Sequence, residues 1–342
     1  MDNLDFHAAA REGTFSRLAA ASLTLDRLSR RNASGNTPLH LAAKHGFLSQ
    51  LPPAVLTQHS LTLRNDAGYT PLHLAARSGH LDQVPLALLT RESLLLRSNS
   101  GYTPLHLAAA AGTLDQLPVA QLSQETVLTK TDHGNTLLHE AAEAGTLNRI
   151  PPFFLTRETL AMPNISGETV LHVAAFNGHL DQVPRRFLTA ESLLAFTANH
   201  DTCLHAAAIA GHLDQIPVEF LTPESLCRPS KAGHTSIHAA AESGHLRQIP
   251  ADCLTLDLFI TRNQYGDTPI HAAAVEGHLD QIPHEFLNYA TLTVRNHTGG
   301  TPAGAAIRHG HAHQLPPEFQ PQEPGRFEKF LYRIGAIRPP HT

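Results

Sequence analysis

The chain repeats itself every 33 residues, and this register constrains the fold more than any other feature. One Thr, one His and one Gly return in phase, with no insertion or deletion. Such self-similarity is the pattern of a stack in which each unit contacts only its neighbours. The Gly register predicts ten units, the first and last of them atypical. Its members are Gly13, Gly46, Gly79, Gly112, Gly145, Gly178, Gly211, Gly244, Gly277 and Gly310.

Each unit opens with a segment that the sequence predicts to be helical, as between Thr70 and Gly79. The Thr can cap a helix, and Pro71 suits its first turn. The pair Ala75-Ala76 provides a narrow stripe that lets neighbouring helices approach closely. The Gly is a natural left-handed stop.

This pattern, Thr-Pro-Leu-His-x-Ala-Ala followed by Gly-His as in Gly79-His80, resembles the ankyrin repeat over roughly residues 4–320. The resemblance implies a right-handed solenoid of stacked helix pairs with a concave binding groove. We therefore predict an all-α fold, an ankyrin-like α-solenoid of about ten helix-turn-helix units that form one domain over residues 1–319. The units start near residues 4, 37, 70, 103, 136, 169, 202, 235, 268 and 301.

The second half of each unit departs from the family, because it reads Leu-Asp-Gln-Ile/Val-Pro, as at 180–184. Proline removes a hydrogen bond and disfavours helix at the preceding residue. We therefore expect the second helix to be short or interrupted. A further start signal follows, as in Thr90-Arg91-Glu92, and predicts a short extra helix that replaces much of the β-hairpin arm. His200 replaces the Gly of one turn, so that turn is not expected to form normally.

The C-terminal end differs from the repeats. Residues 320–325 read as a linker, and the segment after Arg326 has Phe327, Phe330, Leu331 and Ile334 at helical spacing. We predict a helix and tail over 326–342 that cap the last repeat, and a membrane- or partner-docking helix is the alternative.

The composition disfavours several classes. A net charge of −5 is not that of a nucleic-acid binder with a general basic surface. The three cysteines form no CxxC pair, which favours a reducing compartment. The N-terminus lacks the features of a signal peptide, and no apolar run approaches 18 residues. We expect a cytoplasmic monomer that binds neither nucleic acid nor membrane, with a secreted effector as the alternative.

The recurring His residues invite a metal hypothesis, which the expected geometry opposes. Equivalent positions on stacked helices lie about 8–10 Å apart, whereas zinc needs its ligands at about 2 Å. We predict buried histidines that hydrogen-bond the backbone or the Thr three residues earlier. The tract 309–313 contains three further His residues and is the one place where an adventitious metal remained an alternative.

No catalytic pattern emerges. The sequence lacks a nucleophile elbow and a phosphate loop, and His139-Glu140 is not followed by the second His of a zinc-protease helix. We predict no enzyme activity, no catalytic residue and no cofactor. The aspartates in the register of Asp82 suit first helical turns. The basic residues in the register of Arg31 suit pairing with acidic neighbours, although a row of cations also suits an anionic polymer.

Positions that vary between units are free to contact a partner. By resemblance to the family, the residue before the Thr and the pair after Ala-Ala line the concave side. Aromatic and Arg side chains dominate interface energies. The predicted partner-binding residues are Tyr69, Arg77, Tyr102, Glu143, Phe176, Ile209 and Glu242. Phe176 and Ile209 could instead pack between units.

These observations predict a non-catalytic scaffold that holds a protein or peptide in the groove. The alternatives are an accessory or inhibitory subunit of an enzyme, or a bacterial effector directed at a host protein. A weaker third alternative is a binder of anionic polymers.

Overall fold

A computed structural model describes residues 5–320 of the protein. Within these residues the fold contains nineteen α-helices and short 3-10 helices, with no strand. The predicted all-α class is therefore confirmed. The chain divides into two compact units, one up to Ile165 and one from Ser166.

The first unit alternates long and one-turn α-helices. They are α1 (Phe6–Glu12), α2 (Leu25–Leu28), α3 (Pro38–His45), α4 (Gln58–Leu61), α5 (Pro71–Ser78), α6 (Arg91–Leu94), α7 (Pro104–Ala111), α8 (Gln124–Val127), α9 (Leu137–Ala144) and α10 (Arg157–Leu160). The 3-10 helices between them are Phe15–Arg17, Ala20–Ser22, Leu48–Gln50, Pro53–Val55, Leu81–Gln83, Leu86–Leu88, Leu114–Gln116, Val119–Gln121, Leu147–Arg149 and Pro152–Phe154.

The second unit continues the same alternation. Its α-helices are α11 (Val170–Asn177), α12 (Ala190–Leu193), α13 (Cys203–Ala210), α14 (Pro223–Leu226), α15 (Ser236–Ser243), α16 (Leu256–Ile260), α17 (Pro269–Glu276), α18 (Tyr289–Leu292) and α19 (Pro302–Arg308). Its 3-10 helices are Leu180–Gln182, Arg185–Phe187, Leu213–Gln215, Val218–Phe220, Leu246–Gln248, Ala251–Cys253, Leu279–Gln281, His284–Phe286, Ala312–Gln314 and Pro317–Phe319.

The long helices form the core of each unit by packing against the next long helix in the chain. In the first unit α1, α3, α5, α7 and α9 pack consecutively, and in the second α11, α13, α15, α17 and α19 do so. The paired alanines, such as Ala75 and Ala76, are fully buried at these contacts. Because Ala has a small side chain, the helix backbones can approach closely without leaving voids.

The long helices begin and end at the predicted residues. The N–H of His73 donates to the Thr70 hydroxyl at 3.4 Å, and Pro71 occupies the first turn. Gly79 ends α5 with a φ of +75°, in the left-handed region that favours glycine. Gly46 occupies the equivalent position in the preceding repeat. A side chain cannot fit there, because a Cβ would lie 2.9 Å from the ring of His80.

The predicted interruption of the second helix is confirmed. Val84 is extended before Pro85, and this pair separates the 3-10 helix Leu81–Gln83 from Leu86–Leu88. The predicted extra helix is also confirmed. It is α6, whose Ser93 N–H donates to the Thr90 hydroxyl at 3.2 Å.

The turn at His200 forms, contrary to expectation. His200 adopts a φ of +63°, in the region that Gly occupies in the other turns. Its N–H donates to the Thr197 carbonyl at 3.0 Å, and Thr197 N–H donates to Asp201 at 2.9 Å. The same pattern joins Asn65 to Tyr69. The surrounding hydrogen bonds therefore hold a residue that would not adopt this φ readily by itself.

The predicted capping helix and tail over 326–342 lie outside the described residues, as does 321–325 of the predicted linker. Across residues 5–320, no helix has the length and apolar character needed to cross a membrane.

Candidate functional site

The recurring histidines hold one repeat to the next. Nδ1 of His40 accepts from the Thr37 backbone N–H at 3.2 Å and lies 2.8 Å from the Thr37 hydroxyl. Its Nε2 lies 3.0 Å from the Tyr69 carbonyl. Because a carbonyl oxygen only accepts, Nε2 carries the proton and Nδ1 accepts. This confirms the predicted structural role. The same Nε2 contact to a following carbonyl is made by His7, His73, His106, His172, His205, His238 and His271.

Burial keeps these histidines neutral. Desolvation lowers the pKa of His40, His73, His106 and His238 to about 4. The pKa values of the corresponding histidines in α11, α13 and α17 are lowered for the same reason. Among residues 5–320, no three His, Cys, Asp or Glu side chains are grouped to hold a metal ion.

A second set of inter-repeat contacts, the glutamine ladder, escaped the sequence analysis. The Gln215 Nε2 donates to the Gly178 carbonyl at 2.7 Å, while its Oε1 accepts from the Leu180 N–H at 2.9 Å. Gln215 therefore joins two backbone groups of the preceding repeat, whereas Gln281 makes only the Nε2 bond and its buried Oε1 has no hydrogen-bond partner. The available signal was the recurrence of Gln in phase. The ladder includes Gln83, Gln116, Gln215, Gln248, Gln281 and Gln314.

The basic residues in the register of Arg31, which we name the basic row, donate hydrogen bonds to backbone carbonyls of the following repeat. Arg64 donates to the Arg97 carbonyl at 2.7 Å, Arg97 to that of Lys130 at 2.6 Å, and Lys130 to that of Pro163 at 2.7 Å. The predicted acidic pairing also occurs, because Arg97 lies 2.7 Å from Asp132. The aspartates of the Asp82 register lie in the first turns of 3-10 helices, as predicted.

The side chains of the predicted binding residues of the first unit make none of these periodic hydrogen bonds, although the carbonyls of Tyr69 and Tyr102 accept from His40 and His73. Tyr69 and Tyr102 are partly buried, and their rings pack edge-on against His73 and His106 at centroid distances of 5.5 and 6.2 Å. Arg77 and Glu143 are exposed in the last turns of α5 and α9.

Glu140 is a functional candidate that the sequence analysis dismissed. It is only 6% exposed. The other long helices from α3 onward have an apolar residue at the equivalent position, namely Leu41, Leu74, Leu107, Val173, Ala206, Ala239, Ala272 and Ala305. The Asn135 side-chain amide donates to its Oε1 at 3.1 Å. The signal that could have found it was this single carboxylate in an apolar row.

Four side chains of the first unit interact electrostatically and form what we name the tyrosine–glutamate cluster: Tyr69, Tyr102, Glu140 and Glu143. Burial raises the pKa of Glu140 to about 7, and the negative charge of Glu143 adds to this, whereas hydrogen bonds from Asn135 and Tyr102 oppose it. Burial raises the pKa of Tyr102 to about 12, with further contributions from both carboxylates and from Tyr69. The structure thus brings together three predicted residues and Glu140. Arg77 is not among these interacting groups.

The predicted residues of the second unit are placed differently. Phe176 and Ile209 are 50% and 49% exposed at the ends of α11 and α13. Glu242 lines a cavity of about 270 Å³ whose walls do not include those two apolar residues. The other polar residues in this cavity include His234, Tyr265, Asp267, Glu276 and Arg308. Tyr265 was not predicted, because it lies outside both variable sets.

The family model described as ankyrin repeats (3 copies) matches residues 6–92 and 50–123. Ankyrin repeats are therefore detected over residues 6–123, about a third of the chain. No curated protein matches the chain. The number of ankyrin repeats, ten by the sequence register, stays a prediction.

Ankyrin repeats are in general protein–protein interaction modules, and proteins built from them are typically non-catalytic scaffolds. In this chain the Thr-Pro-Leu-His half of each repeat follows the ankyrin pattern, whereas the second half consists of 3-10 segments and a one-turn helix.

Proposed function

We propose that this protein is a non-catalytic scaffold that binds a protein or peptide through its variable face. We define that face by the residue preceding each Thr cap and by the pair after Ala-Ala. One observation carries the proposal. The in-phase histidines and glutamines bond neighbouring repeats, whereas the variable residues occupy partly buried or exposed positions.

The chemistry of the variable face supports a protein partner. The first unit offers two tyrosines beside carboxylates, and the second offers half-exposed Phe176 and Ile209 as well as a polar cavity. Tyrosine is enriched at interface positions that contribute most to affinity. A contiguous exposed apolar patch commonly marks a contact site.

Several features support binding without chemistry. The Cys203 thiol is fully buried, and burial raises its pKa, so it is not a nucleophile of the reactive kind. The basic row donates to backbone carbonyls, which supports a structural role for it over an anionic-polymer site. We accordingly propose a monomer that needs no metal or cofactor and binds no nucleic acid or membrane.

The test is affinity capture from lysate with three forms of the protein. The variant Tyr102→Ala/Phe176→Ala should capture at least tenfold less partner than the wild type, while its thermal midpoint stays near that of the wild type. The control is Leu86→Ala/Val218→Ala, because these two residues are 69% and 63% exposed in the outer 3-10 helices. Partner retention by the first variant, or partner loss by the control, would refute the proposal.

A further inference from the structure

Glu140 is a charge that the stack itself does not need. Its equivalents in the first unit from α3 onward are leucines, and neither the histidine contacts nor the glutamine ladder passes through its carboxylate, which instead accepts from Asn135 and Tyr102. Burying a carboxylate opposes folding unless a partner compensates for the lost solvation. A residue that breaks the local packing rule without stabilising the fold is characteristic of a functional position.

The tyrosine–glutamate cluster also lacks a positive charge. Neither Glu140 nor Glu143 forms an ion pair within residues 5–320. The groups that bond Glu140 are the neutral Asn135 amide and Tyr102 hydroxyl. Glu143 is exposed one helical turn further along α9. The cluster therefore combines two uncompensated carboxyl groups with two aromatic rings.

We propose that the tyrosine–glutamate cluster binds one cationic side chain, a Lys ammonium or an Arg guanidinium, of the protein partner. This inference rests on the proposed function, which it deepens by naming the chemistry of the contact. Glu140 is the buried anchor and is oriented by Asn135, while Glu143 attracts the cation at the rim.

General physical chemistry favours such a ligand. An ion pair is stronger in a partly buried site than in water, because the effective dielectric constant is lower. The faces of tyrosine rings attract cations within about 6 Å. An anionic side chain would instead be repelled by Glu143, and a purely apolar one would leave the Glu140 carboxylate without a counter-ion.

The experiment uses the full chain labelled with ¹³C on its tyrosine rings. The probes are Nα-acetyl-arginine methylamide, the corresponding lysine compound and the citrulline compound, a neutral analogue of the arginine probe. We expect saturable shifts of the Tyr69 and Tyr102 signals with a Kd on the order of 1–10 mM for one or both cations. The Tyr265 signal should not follow this saturation curve. An equal response to citrulline, or no saturable response, would overturn the proposal.

Variants assign the response to the cluster. Glu140→Gln keeps the size of the side chain and should weaken cation binding at least tenfold. Glu143→Gln changes an exposed residue and should weaken binding without affecting the fold, so it provides the test if the first variant does not fold. Glu92→Gln, at an exposed position of the one-turn helix α6 outside the variable face, is the matched control and should bind like wild type. Unchanged cation binding by both cluster variants would refute the proposed cation site.

The probe assay does not require the natural partner, so the two proposals can fail separately. If the Tyr102→Ala/Phe176→Ala variant loses its partner but no cation binds the wild type, only the cation site is wrong. If the cation binds but that variant retains its partner, the proposed use of the variable face is wrong.

Discussion

Acidification from pH 7 to pH 5 should destabilise the first unit through its buried histidines. His40, His73 and His106 are neutral donors to backbone carbonyls, and burial lowers the pKa of each to about 4 from an ordinary value of 6.5. Between these pH values the unfolded chain therefore binds more protons than the folded one. The stabilisation is complete above pH 6.5 and is lost as the pH falls towards 4.

The size of the loss follows from the same values. Each histidine should lower the free energy of unfolding by about 1.8 kcal/mol between pH 7 and pH 5, or about 5 kcal/mol for the three. Glu140 acts in the opposite direction, because its pKa of about 7 makes it more stabilising as the pH falls, by about 2 kcal/mol. The expected net loss is about 3 kcal/mol, a large part of the stability of an ordinary domain.

The assay is urea unfolding followed by far-ultraviolet circular dichroism at pH 5, 6 and 7. The midpoint should fall with pH in the wild type and fall less steeply in His73→Gln, which has one buried titrating group fewer. The exposed His133 gives the matched control His133→Gln, whose slope should equal that of the wild type. A midpoint that is constant or rises between pH 7 and pH 5 would refute the assigned role of the buried histidines.

Three further substitutions test other features. Glu140→Leu should stabilise the protein by about 3 kcal/mol at pH 8, and this gain should vanish below pH 4.5, because burial penalises only the ionised carboxylate. Thermal melts at both pH values would measure the gain, and a gain that does not depend on pH would contradict this reasoning. Gln215→Ala should lower the free energy of unfolding by about 1–3 kcal/mol, because it leaves two backbone groups without partners. Urea titrations should show a change of less than about 0.5 kcal/mol for Asp214→Ala at the exposed neighbouring position. Equal effects of the two substitutions would disprove the stabilising role of the glutamine ladder. His200→Gly should stabilise by about 0.5–1 kcal/mol by relieving the positive φ, and a lower melting temperature would show that this turn is not strained.

The long helices could be predicted from sequence because their signals are local. Thr70, Pro71 and Gly79 each act on the backbone within one or two turns, so their order along the chain already specifies a helix that starts and stops there. The prolines, such as Pro85, act equally locally and predicted the broken second helix. The family resemblance then supplied how such helices stack.

The features that were missed depend on contacts between repeats. Nothing within Leu213–Gln215 indicates that the Gln side chain reaches back to Gly178, because that contact exists only once repeats are stacked. The turn at His200 was mispredicted because neighbouring hydrogen bonds outweigh its local preference. Glu140 was different. Its departure from an apolar register was visible, but the residue was judged only against a zinc-protease pattern that it does not complete.

The histidine and glutamine contacts have a consequence for how such a protein can change its length. The side-chain bonds described for His40 and Gln215 span 29 to 37 residues, and each joins a repeat to an adjacent one. Within either unit, excising or duplicating a whole 33-residue segment would keep these contacts in register. Recombination that preserves this register can therefore add or remove variable positions without changing how the repeats are joined.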